Sequence, residues 1–309
     1  MAITASMVKE LREISGAGMM DCKKALTKTD GDMDKAIEFL RENGLAKAAK
    51  KAGRVAAEGM VATNLSADGK TAAIVEVNSE TDFVAKNEKF QTYVSQVAAQ
   101  VAASSAKDVE TFLAEPWIED SFKTVNENLA SMIAVIGENM TIRRFDKIEA
   151  TDGIVESYIH AGGKIGVLVQ AKTDANSAAV KECLKNVAMQ VAALNPKYTS
   201  DAEVDRSYIE HEKEILKAQA QKEKPDAPEK IIDGMVMGRI KKELKEICLL
   251  DQVYVKAEDG KQSVKQYVDS VAKAEGISLE IKKFVRFETG EGIEKVETDF
   301  AAEVAAQLK

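Results

Sequence analysis

Apolar positions recur at helical spacing over the first fifty residues. Met7, Val8, Leu11 and Ile14 fall on one face of a first helix, which Thr4 can cap and Gly16 and Gly18 end. A second helix starts near Met20-Asp21 and carries Ala25 and Leu26. Asp30-Gly31-Asp32 reads as a turn and cap before a third helix. That helix sets Met33, Ala36, Ile37 and Leu40 on one side and ends at Asn43-Gly44. Residues 45–54, rich in Ala and Lys, read as a helical connector. The pattern then changes to strands at Met60–Leu65 and Thr71–Val77, joined about Asp68-Gly69, a favoured hairpin pair. Helices are expected from about 82 to 137, and Thr141–Glu149 returns as a strand. Strands over 153–160 and 164–172 precede a helix over 176–194, and a closing strand is expected at about 279–288.

Between those last two elements lies a charged helical stretch, 201–247. Val204, Tyr208, Ile215 and Leu216 mark one stripe, and Pro225 and Pro228 break it. Ile231, Ile232, Met235, Ile240, Leu244 and Ile247 mark the return, which predicts an antiparallel hairpin of two long helices. A short amphipathic helix started by Asp299 is expected over 298–309.

The chain also repeats itself. An offset of 94 positions carries Gly59-Met60-Val61 onto Gly153-Ile154-Val155 and Gly69-Lys70 onto Gly163-Lys164. The same offset carries Gln96-Val97-Ala98-Ala99 onto Gln190-Val191-Ala192-Ala193. Ile142-Arg143-Arg144-Phe145 is echoed at Ile281-Lys282-Lys283-Phe284. The period is too long for a solenoid, so two related subdomains are expected. The fold class is α+β. Its expected parts are a three-helix region with connector over 1–54 and core subdomains over 55–150 and 151–288. The second holds the 201–247 insertion, and a C-terminal module covers 289–309.

Composition narrows the partners. A net charge of −8 argues against a direct nucleic-acid binder, since grip on the phosphate backbone rests on clustered Lys and Arg. Cys22, Cys183 and Cys248 are odd in number and widely spaced, which fits a reducing compartment better than a disulfide framework or a zinc site. No apolar run reaches about 18 residues and the start lacks a signal pattern, so a cytoplasmic protein without a membrane span is expected.

Four segments hold candidate chemistry. Thr81-Asp82-Phe83-Val84 has two readings: a helix start with Thr81 as cap and Phe83 in the core, or an exposed aromatic anchor. A near copy stands at Thr298-Asp299-Phe300-Ala301. Met19-Met20 serve either a small core or a binding surface, where flexible methionine is common. His160, before Ala161-Gly162-Gly163, reads locally as a solvated turn histidine. The glycines there form neither a phosphate loop nor a dinucleotide fingerprint, and Gly290-Glu291-Gly292 is equally unspecific. With two histidines and no HxxEH, CxxC or GxSxG, no catalytic constellation, metal site or cofactor is expected.

Five blocks in order resemble the elongation factor Ts family, the exchange factors of the translational GTPase elongation factor Tu. They are Leu11-Arg12-Glu13 with Gly16–Leu26, Asn78–Ala85, Ile136–Met140, Lys164–Val169 and Gly290–Lys295. The resemblance implies an N-terminal domain of the ubiquitin-associated type, two related α+β core subdomains and an inserted antiparallel coiled coil. It implies that Asp82 and Phe83, within Thr81–Val84, push into the GTPase near its magnesium site. It implies that Arg12, Met19, Met20 and Lys23 grip a helix of the GTPase, and that Ile136 and His160 make further contacts. A C-terminal apolar pair matches poorly at Val255-Lys256, since Lys256 stands where an apolar residue is expected. The implied partner is Tu, GDP-bound and nucleotide-free, with self-association or a two-plus-two complex among the family's assemblies. The rival reading is a protein-binding adaptor without exchange activity, built from a three-helix domain and a coiled coil.

Overall fold

The computed structural model describes residues 3–294, so the expected helix over 298–309, with Phe300, lies outside the described residues. Three helices open the chain: α1 (Ala5–Ser15), α2 (Met19–Lys28) and α3 (Met33–Lys51). The Thr4 hydroxyl accepts from the Met7 N–H, and the Asp32 carboxylate accepts from the Lys35 N–H. Val8, Leu11, Cys22, Ala25, Leu26 and Ala36 form a small core. Ile14, expected on that core face, is exposed. Against expectation, α3 does not stop at Asn43-Gly44 but runs through to Lys51.

The first half of the body follows. It begins with β1 (Glu58–Leu65) and β2 (Thr71–Ser79), and continues through α4 (Asp82–Ala85), α5 (Glu88–Ala103) and α6 (Val109–Ala114). The expected run of helices is then interrupted by a small ribbon, β3 (Pro116–Trp117) and β4 (Asp120–Thr124), before α7 (Val125–Ile136) and β5 (Met140–Glu149). Trp117 seals the ribbon onto the core beside Tyr93, ring centroids 6.1 Å apart. Helix α7 explains the length of α3. A β-carbon on Gly44 would lie 3.7 Å from the Ala130 carbonyl oxygen, so packing against α7 carries α3 through a residue that otherwise favours an end. An Arg41–Glu127 ion pair joins the same two helices.

The second half comprises β6 (Gly153–His160), β7 (Ile165–Lys172) and α8 (Ala178–Leu194), then α9 (Arg206–Glu223), α10 (Glu229–Ile247), α11 (Val264–Glu275) and β8 (Glu280–Glu288). Helix α11 was not expected, although Ser263 and Gln266 form a capping box at its start, a signal visible in the sequence. Helices α9 and α10 fold back on each other. Ile209, Leu216 and Ala220 meet Ile232, Val236 and Ile240, while Ile215, expected in the stripe, is exposed. Tyr208 donates to Glu243, and Lys217 pairs with Glu229.

Each half is a three-stranded antiparallel sheet, in the orders β1-β2-β5 and β6-β7-β8. The sheets pack on each other through Val61, Ala72, Ile74, Ile148, Val155 and Leu168. Alternate residues face the helices: Ala73, Val75 and Val77 meet α5, and Val167, Val169 and Ala171 meet α8. A strand buried on both faces reads as the continuous apolar run seen at Ala72–Val75. Both central strands carry a register shift at the same repeat position, Glu76/Val77 and Gln170/Ala171. Opposite each stands a glycine for which no side chain has room. A β-carbon on Gly59 would lie 2.2 Å from the Val77 carbonyl oxygen, and one on Gly153 would lie 1.8 Å from that of Ala171.

Candidate functional site

Strand β2 ends at Ser79, and within three residues the chain enters α4, a single helical turn. Its two apolar residues part company. Val84 packs into the first core at 8% exposure, whereas Phe83 points into solvent at 80%. The core reading of Phe83 is therefore overturned. So is the cap reading of Thr81. Thr81 sits at the N-cap position without a capping bond, and its hydroxyl and its backbone N–H both donate to the Glu138 carboxylate, at 2.8 and 3.0 Å. Asp82 accepts from Lys86 Nζ at 2.6 Å, and that bond holds its carboxyl below the usual carboxylate range. Lys86 Nζ also lies 5.9 Å from the centre of the Phe83 ring.

Two loops meet behind the turn. Glu138 follows Gly137, which ends α7, and receives Thr81. In return Glu80 accepts the backbone N–H of Asn139. The end of α3 joins them. Arg54 Nη1 lies 3.4 Å from Glu80, the Arg54 carbonyl accepts from Asn139 Nδ2 at 2.8 Å, and Lys51 donates to the Gly137 carbonyl. Sequence reasoning missed these holders. Glu138 and Asn139 do lie in the Ile136–Met140 block, so their neighbourhood was marked but not their role.

A second carboxylate anchors β2 from below. Glu76 is fully buried and accepts from Arg143 Nη1 at 3.0 Å, Arg144 Nε at 2.5 Å, Asn78 Nδ2 at 3.0 Å and the Gly290 N–H at 2.8 Å. Burial alone would raise its pKa. The Gly290, Asn78 and Arg144 bonds outweigh burial and hold it below its ordinary value. The Gly290-Glu291-Gly292 turn, unspecific as a ligand motif though part of the fifth block, thus ties the C-terminal side of the described chain to the first sheet.

The other expected positions lie on several elements. Met19 and Met20 are exposed at 55% and 76% at the start of α2, so the small-core reading fails for both. Arg12 on α1 and Lys23 on α2 are also exposed. One crevice is lined by Ser15 and Gly16 from the α1 end together with Glu88, Lys89 and Thr92 of α5, which brings the methionine end of the three helices to the helix that follows the Phe83 turn. Ile136 is half-buried against the first core, next to Gly137 and Glu138. His160 is the exposed last residue of β6, its Nδ1 3.0 Å from the Tyr158 hydroxyl. Lys164, in the turn after it, pairs with Glu58 at 3.2 Å and adds to the positive field on Asp82. The Phe83 turn, the α7–β5 turn and the β6–β7 turn therefore share one end of the sandwich. Val255 is half exposed, and Lys256 donates to Asn186 Oδ1 at 2.7 Å.

Among the described residues no group of three His, Cys, Asp or Glu side chains converges as metal ligands would, and no helix is long and apolar enough to cross a membrane. An exposed aromatic on a braced turn, with exposed methionines at the start of α2, gives the chain apolar surface of the kind that protein partners cover. Residues 80–291 match the family model described as Elongation factor TS. Elongation factor Ts of Clostridium botulinum strain Eklund 17B is 55% identical over 306 residues, covering 99% of both chains. Those of Clostridium perfringens strain SM101 and Clostridioides difficile strain 630 are 56% and 55% identical, covering 98% and 99% of both chains. The chain belongs to the elongation factor Ts family.

Proposed function

We propose that the chain promotes GDP release from elongation factor Tu by pressing Asp82 and Phe83 into the magnesium and phosphate site of that GTPase. Membership of the elongation factor Ts family makes it a guanine-nucleotide exchange factor with elongation factor Tu as partner. The adaptor reading is not favoured. The observation that carries the wedge is Phe83 itself, exposed beside a core-locked Val84. A large apolar side chain left in water forgoes about 1.5–3 kcal/mol of burial, which a partner can recover.

The mechanism is linkage rather than bond chemistry. An exchange factor binds the nucleotide-free GTPase more tightly than the nucleotide-bound form, and reciprocity makes the factor weaken nucleotide by the same ratio. Magnesium bridges and neutralises the phosphates, so a side chain that disturbs it loosens GDP. In this reading Arg12, Met19, Met20 and Lys23 of a ubiquitin-associated-like domain hold a helix of the GTPase. Ile136 and His160 add contacts from the two halves, and both the GDP-bound and nucleotide-free partner are engaged. The α9–α10 hairpin, with Ile215, Ile231 and Met237 exposed, is the coiled-coil element suited to self-association or a two-plus-two assembly. Action on a translational GTPase supports a cytoplasmic setting.

The test is Phe83→Ala in stopped-flow release of labelled GDP from Tu. Stimulated release should fall at least about tenfold, roughly 1.4 kcal/mol in the barrier, with an unchanged melting curve. Phe122→Ala, which removes another fully presented aromatic at 88% exposure, is the control and should release at the parent rate. A folded Phe83→Ala protein that releases GDP as fast as the parent overturns the wedge.

A further inference from the structure

The Phe83 turn has little local support beyond the Asp82–Lys86 bond. Helix α4 is one turn long, and a single turn fixes several dihedrals for one hydrogen bond, so it is unfavourable alone. Its N-cap residue does not cap it. Most of what holds it comes from elsewhere in the chain. The two loops exchange carboxylates: Glu138 takes the N–H and hydroxyl of Thr81, and Glu80 takes the N–H of Asn139. All three are charge-assisted, two from backbone N–H groups and one from the Thr81 hydroxyl, and such bonds are stronger than neutral ones. The Ser79 hydroxyl adds a bond to the Thr81 carbonyl at 3.1 Å.

A third segment enters the same clasp. Arg54 and Lys51, at the C-terminal end of α3, bond to Glu80, Asn139 and the Gly137 carbonyl. Helix α3 is 19 residues long, which at about 1.5 Å per residue makes a rod of roughly 28 Å. Its N-terminal half packs with α1 and α2, which present Met19 and Met20. Its C-terminal half packs on α7 through Gly44 and the Arg41–Glu127 pair. One rigid element thus runs from the methionine surface to the mount of Phe83.

Resting on the wedge reading above, we propose that Glu80 and Glu138 form a clasp that positions Phe83, with Glu138 a positioning residue for GDP release, and that α3 ties the clasp to the docking of the three-helix region. Glu138 need not touch the partner. It sets where the Thr81–Val84 turn stands when the other surfaces have docked. Loss of the clasp therefore lowers the rate of the step that follows docking and leaves docking itself in place.

The experiment measures stimulated GDP release against concentration of the full-length factor. For Glu138→Ala the maximal rate should fall about tenfold, because misplacing a working group by an ångström can lower a rate by one to two orders of magnitude. The half-saturating concentration should move less than twofold. Glu138→Gln should recover most of the rate, since its amide oxygen still accepts the Thr81 N–H and its amino group can donate to the Thr81 hydroxyl. Thr81→Val, which removes only the hydroxyl bond, should fall between parent and Glu138→Ala, and it keeps the test open if Glu138→Ala does not fold. Phe83→Ala combined with Glu138→Ala should be no slower than Phe83→Ala alone, because the clasp acts only through that ring. Several results would overturn the clasp: a maximal rate unchanged in folded Glu138→Ala, a loss confined to half-saturation, or a Gln variant as slow as Ala. Phe83→Ala run alongside separates the two claims. If it is slow while Glu138→Ala is normal, the clasp fails and the wedge stands. If it is normal, both fall.

Discussion

In the first half, β2 runs out at Ser79 and the chain makes one exposed turn, α4, before Asn87 caps α5. In the second half, β7 ends at Lys172 and Ser177 caps α8 directly, its hydroxyl accepting from the Val180 N–H at 3.3 Å and donating to Glu275 at 2.8 Å. The offset of 94 places Asn176 and Ser177 where Asp82 and Phe83 stand. The same strand-to-helix junction is therefore closed locally in one copy and opened in the other. Opening it leaves a turn that needs outside support, and the Glu80–Glu138 exchange supplies it. The copies differ below the junction as well. Glu76, buried among Arg143, Arg144 and Gly290, corresponds to half-buried Gln170. The half that presents the aromatic is the half whose central strand is pinned by a buried charge.

That contrast can be broken most severely at Glu76. Glu76→Ala should destabilise the protein by about 2–3 kcal/mol, since it empties a buried carboxylate position and removes the shared acceptor of Arg143, Arg144, Asn78 and the Gly290 N–H, while Gln170→Ala should change stability by roughly 1 kcal/mol or less. Urea denaturation distinguishes them, and equal effects would remove the asymmetry. The pH dependence has a fixed sign. Because the Glu76 pKa is lowered in the folded state, its contribution is complete above the ordinary value near 4.5 and is lost as pH falls below that through the folded value. The parent's stability should drop across that acid range more steeply than that of Glu76→Gln.

Next in size come the two glycines, where the halves should agree. Gly59→Ala and Gly153→Ala each force a β-carbon onto a bulge carbonyl and should lose about 1–3 kcal/mol apiece by thermal melting. A large loss at one and none at the other would show that the shared bulge is not an equivalent feature.

A graft sharpens the junction itself. Asn176→Asp with Ser177→Phe, placed in the Phe83→Ala background, should restore no GDP release, because the second junction has neither the extra turn nor a Glu138 behind it. It should also lose the α8 cap, worth about 1 kcal/mol in melting experiments. Recovery of release would mean that the motif alone suffices.

The smallest effect is expected at the α9–α10 hairpin, an insertion that only the second half carries. Lys197 and Tyr198 bond to the Ile247 carbonyl, so the hairpin leaves and returns at one place. Replacing residues 206–247 by a short Gly-rich link should leave stimulated release within about twofold, since closure entropy changes slowly with loop length. Light scattering should show weaker self-association. A folded truncation without exchange would place the hairpin in the mechanism.

Local chemistry was legible where the physics is local. Thr4 and Asp32 cap helices as their types predict, Asp68-Gly69 turns a hairpin, and the offset of 94 marks two sheets with the same order and the same bulge. The five blocks were enough to identify the family. Reading failed where a distant neighbour outbid a local signal. Gly44 reads as a stop, yet α7 carries α3 past it. The β3–β4 ribbon and α11 draw stability from packing against α5 and α8, and their short patterns did not stand out.

The site divides the same way. Residue types and spacing set out an aromatic after a carboxylate at a strand end, two adjacent methionines, and a chain without catalytic motifs. They left open whether Phe83 lay inside or outside, because a cap followed by a core residue has the same spelling as a braced wedge. In the structure Val84 enters the core while Phe83 stands in water, and Glu138, 57 positions from Thr81, holds the N–H and hydroxyl of that residue. Backbone propensity and apolar periodicity act within a few residues and are written along the chain. Exposure depends on which surfaces meet, and only the packed structure decides that: the two sheets joined face to face and at Glu76, with α3 laid on α7.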